Sequence, residues 1–188
     1  MMSITYKINK AIRMTTALEN FWSSSRGWAP ESAAELLAEA RLDRQISFAH
    51  TLSDYLEPFP EGSAEARIIL GYTTLRSMAE GALKLFFSVW FEDYQADVDA
   101  ARRKGELVSP EDVKFDYLIF LYVSKFGNQY QDFLRQVQYR GNAIHHFKHR
   151  DIGTQQELIA DIESYCDFLT AINDGLPYPD EMYNPALA

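Results

Sequence analysis

Between residues 64 and 89 the side chains Ile68, Tyr72, Leu75, Ala79, Ala82, Phe86 and Val89 recur at alternating steps of four and three. That step matches the turn of an α-helix and no strand pattern. An apolar stripe this long must be covered by other secondary structure. No segment shows sustained period-two alternation with hairpin turns, so the covering elements are expected to be helices. Beside the stripe run Thr73, Ser77 and Gly81, small enough to admit a close neighbour, and a polar line of Arg76, Glu80 and Lys84 at helical spacing.

The remaining punctuation supports the same class. A first helix is expected from about Ile4 to Ser23, broken by Gly27-Trp28-Ala29-Pro30. Pro30 opens a second, which runs to about Glu57 and is stopped by Pro58, Pro60 and Gly62. Ser109-Pro110-Glu111-Asp112 reads as a capped helix start, leading to Val113, Tyr117, Phe120 and Leu121 and ending at Gly127-Asn128. A further helix covers Gln129 to about Phe147. Thr154 and Glu157 form a capping box before a last helix with the stripe Leu158, Ile162, Tyr165, Leu169 and Ile172, closed by Gly175 and Pro177. The expected fold is all-α, an antiparallel bundle of about six helices. Residues 1–60 would form an N-terminal helical extension, 61–175 the core and 176–188 an extended tail.

The single cysteine, Cys166, excludes an intramolecular disulfide framework and a multi-thiolate zinc site, and it falls among core-type residues. The apolar run around Phe86 and Trp90 is too short for a membrane span, and the first residues lack the apolar centre of a signal peptide. A cytoplasmic protein with no membrane association is the expectation.

The net charge of −9 argues against nonspecific nucleic-acid binding, yet it is unevenly spread. From Lys125 to Arg150 five cations face one anion, a net +4, which leaves −13 on the remainder. His145, His146 and His149 lie in the same segment. On a continuous helix Phe133, Val137, Ile144 and Phe147 share an arc of about 80°, and Arg140 falls inside it. A charge on a packing face must be paired, or must face a cleft or an interface. His145 lies about 140° around from Arg140 on that helix, so a single straight helix does not aim both at one phosphate. A distortion at Gly141, or a second subunit, would be needed.

Arg140, four residues and then His145, with Asn142 inside and Ile144 just before the histidine, resembles the Arg-x4–6-His motif of the HEPN superfamily, small α-helical domains that include many ribonucleases of toxin–antitoxin, CRISPR and phage-defence systems. The resemblance covers roughly residues 64–173 and includes the long apolar helix before the motif and the capped helix after it. Two positions depart from the usual pattern: Gly141 follows the motif arginine, and Phe147 stands where a tyrosine is often found.

The resemblance implies a metal-independent endoribonuclease with no cofactor, acting on RNA from a composite site in a homodimer, with a possible antitoxin or defence-system partner. His145 would be the acid/base, Arg140 the phosphate clamp and Asn142 a polar helper, and a 2′,3′-cyclic phosphate would result. Lys148, His146, His149 and Arg150 would form an RNA-facing rim or simply a solvated helix end, and Glu80 a solvated helix face or one wall of a polar cleft. Other readings of the same residues stay open. Arg140 would instead be structural, paired with a buried acid such as Glu80, or His145 and His149 would bind a metal at helical spacing. The superfamily's noncatalytic members provide a further alternative, a nucleotide-, RNA- or protein-binding module.

Overall fold

The computed structural model describes residues 2–145, 147, 149–180 and 183–185. Among these, eight α-helices form the fold: α1 (Ile4–Trp22), α2 (Glu31–Glu39), α3 (Leu42–Thr51), α4 (Ala64–Val89), α5 (Phe91–Ala96), α6 (Phe115–Phe126), α7 (Gln131–Gly141) and α8 (Gln155–Asp174). The class is all-α, with two more helices than the sequence pattern suggests. The strands among the described residues form a two-residue ribbon, Arg102–Arg103 against Glu106–Leu107. Its turn, Lys104-Gly105, places both residues at positive φ, 54° and 89°, as a tight hairpin requires.

Helix α4 is the axis. Every residue of its stripe is buried, and α2, α3, α6, α7 and α8 all pack against it. The α8 stripe is likewise buried throughout. Thr154 accepts from the Glu157 backbone N–H while the Glu157 carboxylate accepts from the Thr154 N–H, so the capping box forms. Helix α1 lies against α3 and α8. Its Lys7 pairs with Glu163 and Asp167 of α8, at 2.9 Å each. The core runs without interruption from Ile8, Met14 and Trp22 of α1 to Phe168 and Ile172 of α8. The segment after α8 packs on α1, with the Tyr178 and Tyr183 rings tilted against Phe21 at ring distances of 5.2 and 5.4 Å.

Three expected elements differ. The helix expected over 30–57 is two helices and a 3₁₀ turn (Leu52–Tyr55), because Ala40 is extended (ψ 136°). Leu37 and Leu42 are both buried, yet on one straight helix they would sit about 140° apart; the bend brings both inward. Pro110–Asp112 forms only a 3₁₀ turn, and α6 starts at Phe115, which leaves Tyr117 and Phe120 on its exposed side. The helix expected over 129–147 ends at Gly141 and continues as a 3₁₀ turn over Asn142–His145. That change of pitch takes Ile144 (45% exposed) and Phe147 (fully exposed) off the core stripe on which a continuous helix would place them.

Candidate functional site

The end of α7 is shaped by how closely it approaches α4. A Cβ on Gly141 would meet the Tyr72 carbonyl oxygen at 2.8 Å and the Arg76 Cβ at 2.7 Å. Only glycine permits that approach without displacement. The Thr73 hydroxyl donates to Ile69 O at 2.8 Å and reaches Gly141 O at 3.3 Å. Tyr72, Thr73 and Arg76 of α4 thus seat the motif, while Gly81 of the small-residue line lies against Gln45 of α3.

Arg140, one residue earlier, points inward and is 6% exposed. Its Nη1 donates to the Tyr72 hydroxyl at 2.7 Å, and its Nη2 donates to Glu157 Oε1 at 2.8 Å and Asp151 Oδ2 at 3.1 Å. Asp161 Oδ2 lies 3.9 Å from Nη1 and accepts from the Tyr72 hydroxyl at 2.8 Å and Gln136 Nε2 at 2.7 Å. The guanidinium also lies over the Tyr72 ring, 5.2 Å from its centroid. Gly153, at φ +74°, covers the guanidinium so closely that a Cβ there would meet Nη1 at 2.5 Å. One buried cation therefore ties α4, α7, α8 and the loop before α8 together.

The titration of these groups follows from their surroundings. Burial opposes the Arg140 charge, but hydrogen bonds to Glu157, Tyr72 and Asp151 more than offset it and hold the guanidinium above its ordinary value. Burial raises the Asp161 carboxyl, against hydrogen bonds from Gln136 and Tyr72 that lower it. Burial, helped by the bond to Asp161, raises the Tyr72 hydroxyl. Glu157 is held low by Arg140 and then by Thr154, and Asp151 by the Gly153 N–H and then by Arg140.

The other expected site residues are arranged differently. His145 ends the 3₁₀ turn, exposed, and has no hydrogen-bond or ion-pair partner among the described residues. Asn142 is half-buried at the start of that turn. His149 is exposed, and Arg150 donates to Tyr139 O at 2.8 Å while its guanidinium lies 4.3 Å over the Tyr139 ring. His146 and Lys148 lie outside the described residues. Glu80 pairs along its own helix, with Lys84 at 3.0 Å and Arg76 at 3.3 Å. The buried acid that answers Arg140 is Asp161, not Glu80. Among the described residues no group of three or more His, Cys, Asp or Glu is placed to hold a metal ion.

Tyr72, Asp151, Glu157 and Asp161 were missed as partners by reasoning on the motif segment alone. One signal was available: Asp161 stands beside Leu158, Ile162 and Tyr165 on the apolar face of its helix, as Arg140 does on its own. Two opposite charges on two packing faces call for each other.

Chemically, the arrangement separates the two motif residues. Three carboxylates and a phenol already surround the Arg140 guanidinium, so a phosphate would have to displace Asp151 or Glu157 to reach it. The imidazole of His145 is open to solvent and can exchange a proton with a bound molecule. No protein-family model, no curated protein and no solved structure matches this chain.

Proposed function

We propose that this chain is a HEPN-like, metal-independent endoribonuclease in which His145 moves the proton and Arg140 is a positioning residue, not the phosphate clamp. The observation that supports it is the contrast within the motif: His145 is exposed and unpartnered among the described residues, on a turn whose base is locked by buried Arg140. The RNA 2′-hydroxyl attacks the adjacent phosphorus, the leaving 5′-oxygen takes a proton, and a 2′,3′-cyclic phosphate remains. One histidine accepts the first proton and another donates the second, which a two-fold pairing of His145 turns supplies. Arg150 and its cationic neighbours offset the phosphate charge. The acidic remainder of the chain repels RNA elsewhere and suits an enzyme held in check by a partner in a defence or toxin–antitoxin setting.

The test is cleavage of single-stranded RNA by the purified protein in EDTA, wild type beside His145→Ala. Cyclic-phosphate ends from the wild type alone support the reading. Arg140→Lys separates the arginine's two roles: a positioning residue lowers kcat and leaves KM for RNA unchanged, whereas a phosphate contact raises KM. A second reading, a noncatalytic RNA- or protein-binding module, is favoured by the carboxylates that already neutralise Arg140. It is the conclusion if neither folded protein cleaves.

A further inference from the structure

On a different part of the fold, a cavity of about 300 Å³ opens where the last turn of α4, helix α5, the end of α6 and the end of α8 meet. Its walls are aromatic: Phe86, Phe87, Trp90, Tyr94 and Phe126. The rings are held in place. Phe86 meets Phe126 edge-on at 5.1 Å and Phe87 at 5.6 Å. The Trp90 indole N–H donates to Gly175 O at 2.9 Å, and the Tyr94 hydroxyl donates to Val108 O at 2.7 Å. Phe86, Phe87 and Tyr94 are buried and form the floor, while half-buried Trp90 and exposed Phe126 offer ring surface to whatever enters.

The charge around the cavity is negative on balance. Asp97 is paired with Lys125, but Asp93 has no ion-pair or hydrogen-bond partner among the described residues. The net side-chain charge of the lining is therefore −1. The backbone adds to it. Phe86 and Phe87 lie in the last turn of α4, Lys125 and Phe126 in the last turn of α6, and Gly175 caps α8. Three helix C-termini, which carry partial negative charge, lie beside the chamber, and only the first turn of the short α5 sets a positive end against them. Neutral apolar molecules gain nothing from that field, and anions are opposed by it.

We propose that this cavity is a binding site for a small organic cation of the quaternary ammonium class. A quaternary ammonium has no N–H to satisfy and is more weakly hydrated than a primary ammonium. The Trp90 and Phe126 rings supply the attraction such a group finds against aromatic faces. Asp93 supplies the countercharge at the mouth. The site does not depend on the ribonuclease reading and uses none of its residues.

The test is titration of the full chain with choline and, separately, with its uncharged carbon isostere 3,3-dimethylbutan-1-ol. Binding is read from the Trp90 indole N–H resonance, assigned by its loss in Trp90→Phe among the three tryptophans. The expected result is a saturable shift with choline at least about fivefold tighter than with the isostere. Asp93→Asn, at an exposed position that leaves the fold intact, weakens choline by at least about threefold and leaves the isostere unchanged. Equal affinity for the two probes overturns the proposal, as does the absence of a choline-induced shift up to about 50 mM. A choline affinity that Asp93→Asn leaves untouched also counts against it.

Discussion

Replacing Arg140 by methionine keeps the side chain's apolar volume and removes the charge that four groups share. Two of its acids sit near water, with side-chain exposures of 68% for Asp151 and 47% for Glu157, so they rehydrate and little stability is lost there. The inner pair behaves differently. Asp161 is 7% exposed and Tyr72 is fully buried, and without the guanidinium the carboxylate has no countercharge. Breaking a buried pair by deleting one partner costs about 3–5 kcal/mol. Asp161 keeps its bonds from Gln136 and Tyr72, and its separation from Arg140 is already 3.9 Å, which puts the expected loss near 3 kcal/mol, the low end of that range. For a chain of this size that corresponds to a Tm lower by about 6–12 °C. Denaturant unfolding followed by circular dichroism gives the free energy directly.

The pH dependence has a definite sign. Burial already raises the Asp161 carboxyl, and loss of Arg140 raises it further. A carboxyl whose folded value is raised contributes stability below its unfolded value and loses it as pH rises through the folded one. The deficit of Arg140→Met is therefore larger at pH 8 than at pH 5. Adding Asp161→Asn in the Arg140→Met background removes the orphaned charge and recovers about 1–2 kcal/mol. An Arg140→Met protein within about 0.5 kcal/mol of wild type would refute the reasoning, as would a double variant with no recovery.

Gly141→Ala drives a methyl group into the Tyr72 carbonyl and Arg76, and is expected to cost about 1–3 kcal/mol by thermal melting, together with any activity that depends on the His145 turn. Glu157 and Asp151 sit below their usual values of 4.5 and 3.8, so their contribution is present above those values and is lost as pH falls through the lower folded ones. Glu157→Gln is accordingly expected to be about 0.5 kcal/mol less stable than wild type at pH 7, after allowance for solvent screening, and to match it near pH 2 in acid titrations. The Cys166 thiol, 6% exposed and pushed up to about 12 by burial, is expected to react with a disulfide reagent at pH 8 only as fast as the protein opens, so its labelling rate follows denaturant concentration.

What could be read from the sequence was set by whether a helix runs unbroken. The stripes of α4 and α8 were legible because each helix is long and clearly delimited, α8 by a side-chain cap that forms as written. The bend at Ala40 was not, since neither glycine nor proline marks it; it answers to the burial of Leu37 and Leu42, a tertiary demand. Ile144 and Phe147 were misplaced for a related reason. Their phase was counted through Gly141, and the contact that ends the helix there belongs to α4, almost seventy residues upstream. For the site, the wheel identified Arg140 as a charge on a packing face, and it is buried and paired. Its partners lie on three other segments, and only the pattern around Asp161 announces one of them.

The placement of α1 has a consequence for how the chain is made. Its apolar face is covered by α3, close behind it in sequence, and by α8, far behind it. Well over a hundred residues separate α1 from α8, and at ordinary elongation rates they take on the order of ten seconds to appear. For that interval α1 and α3 form a helical hairpin with one face still wet, and Lys7 waits for Glu163 and Asp167. A ribosome stalled before α8 would hold a chain that presents Ile8, Met14 and Leu18 to whatever apolar surface is nearest, so chaperone capture should peak on such intermediates and vanish once α8 has emerged.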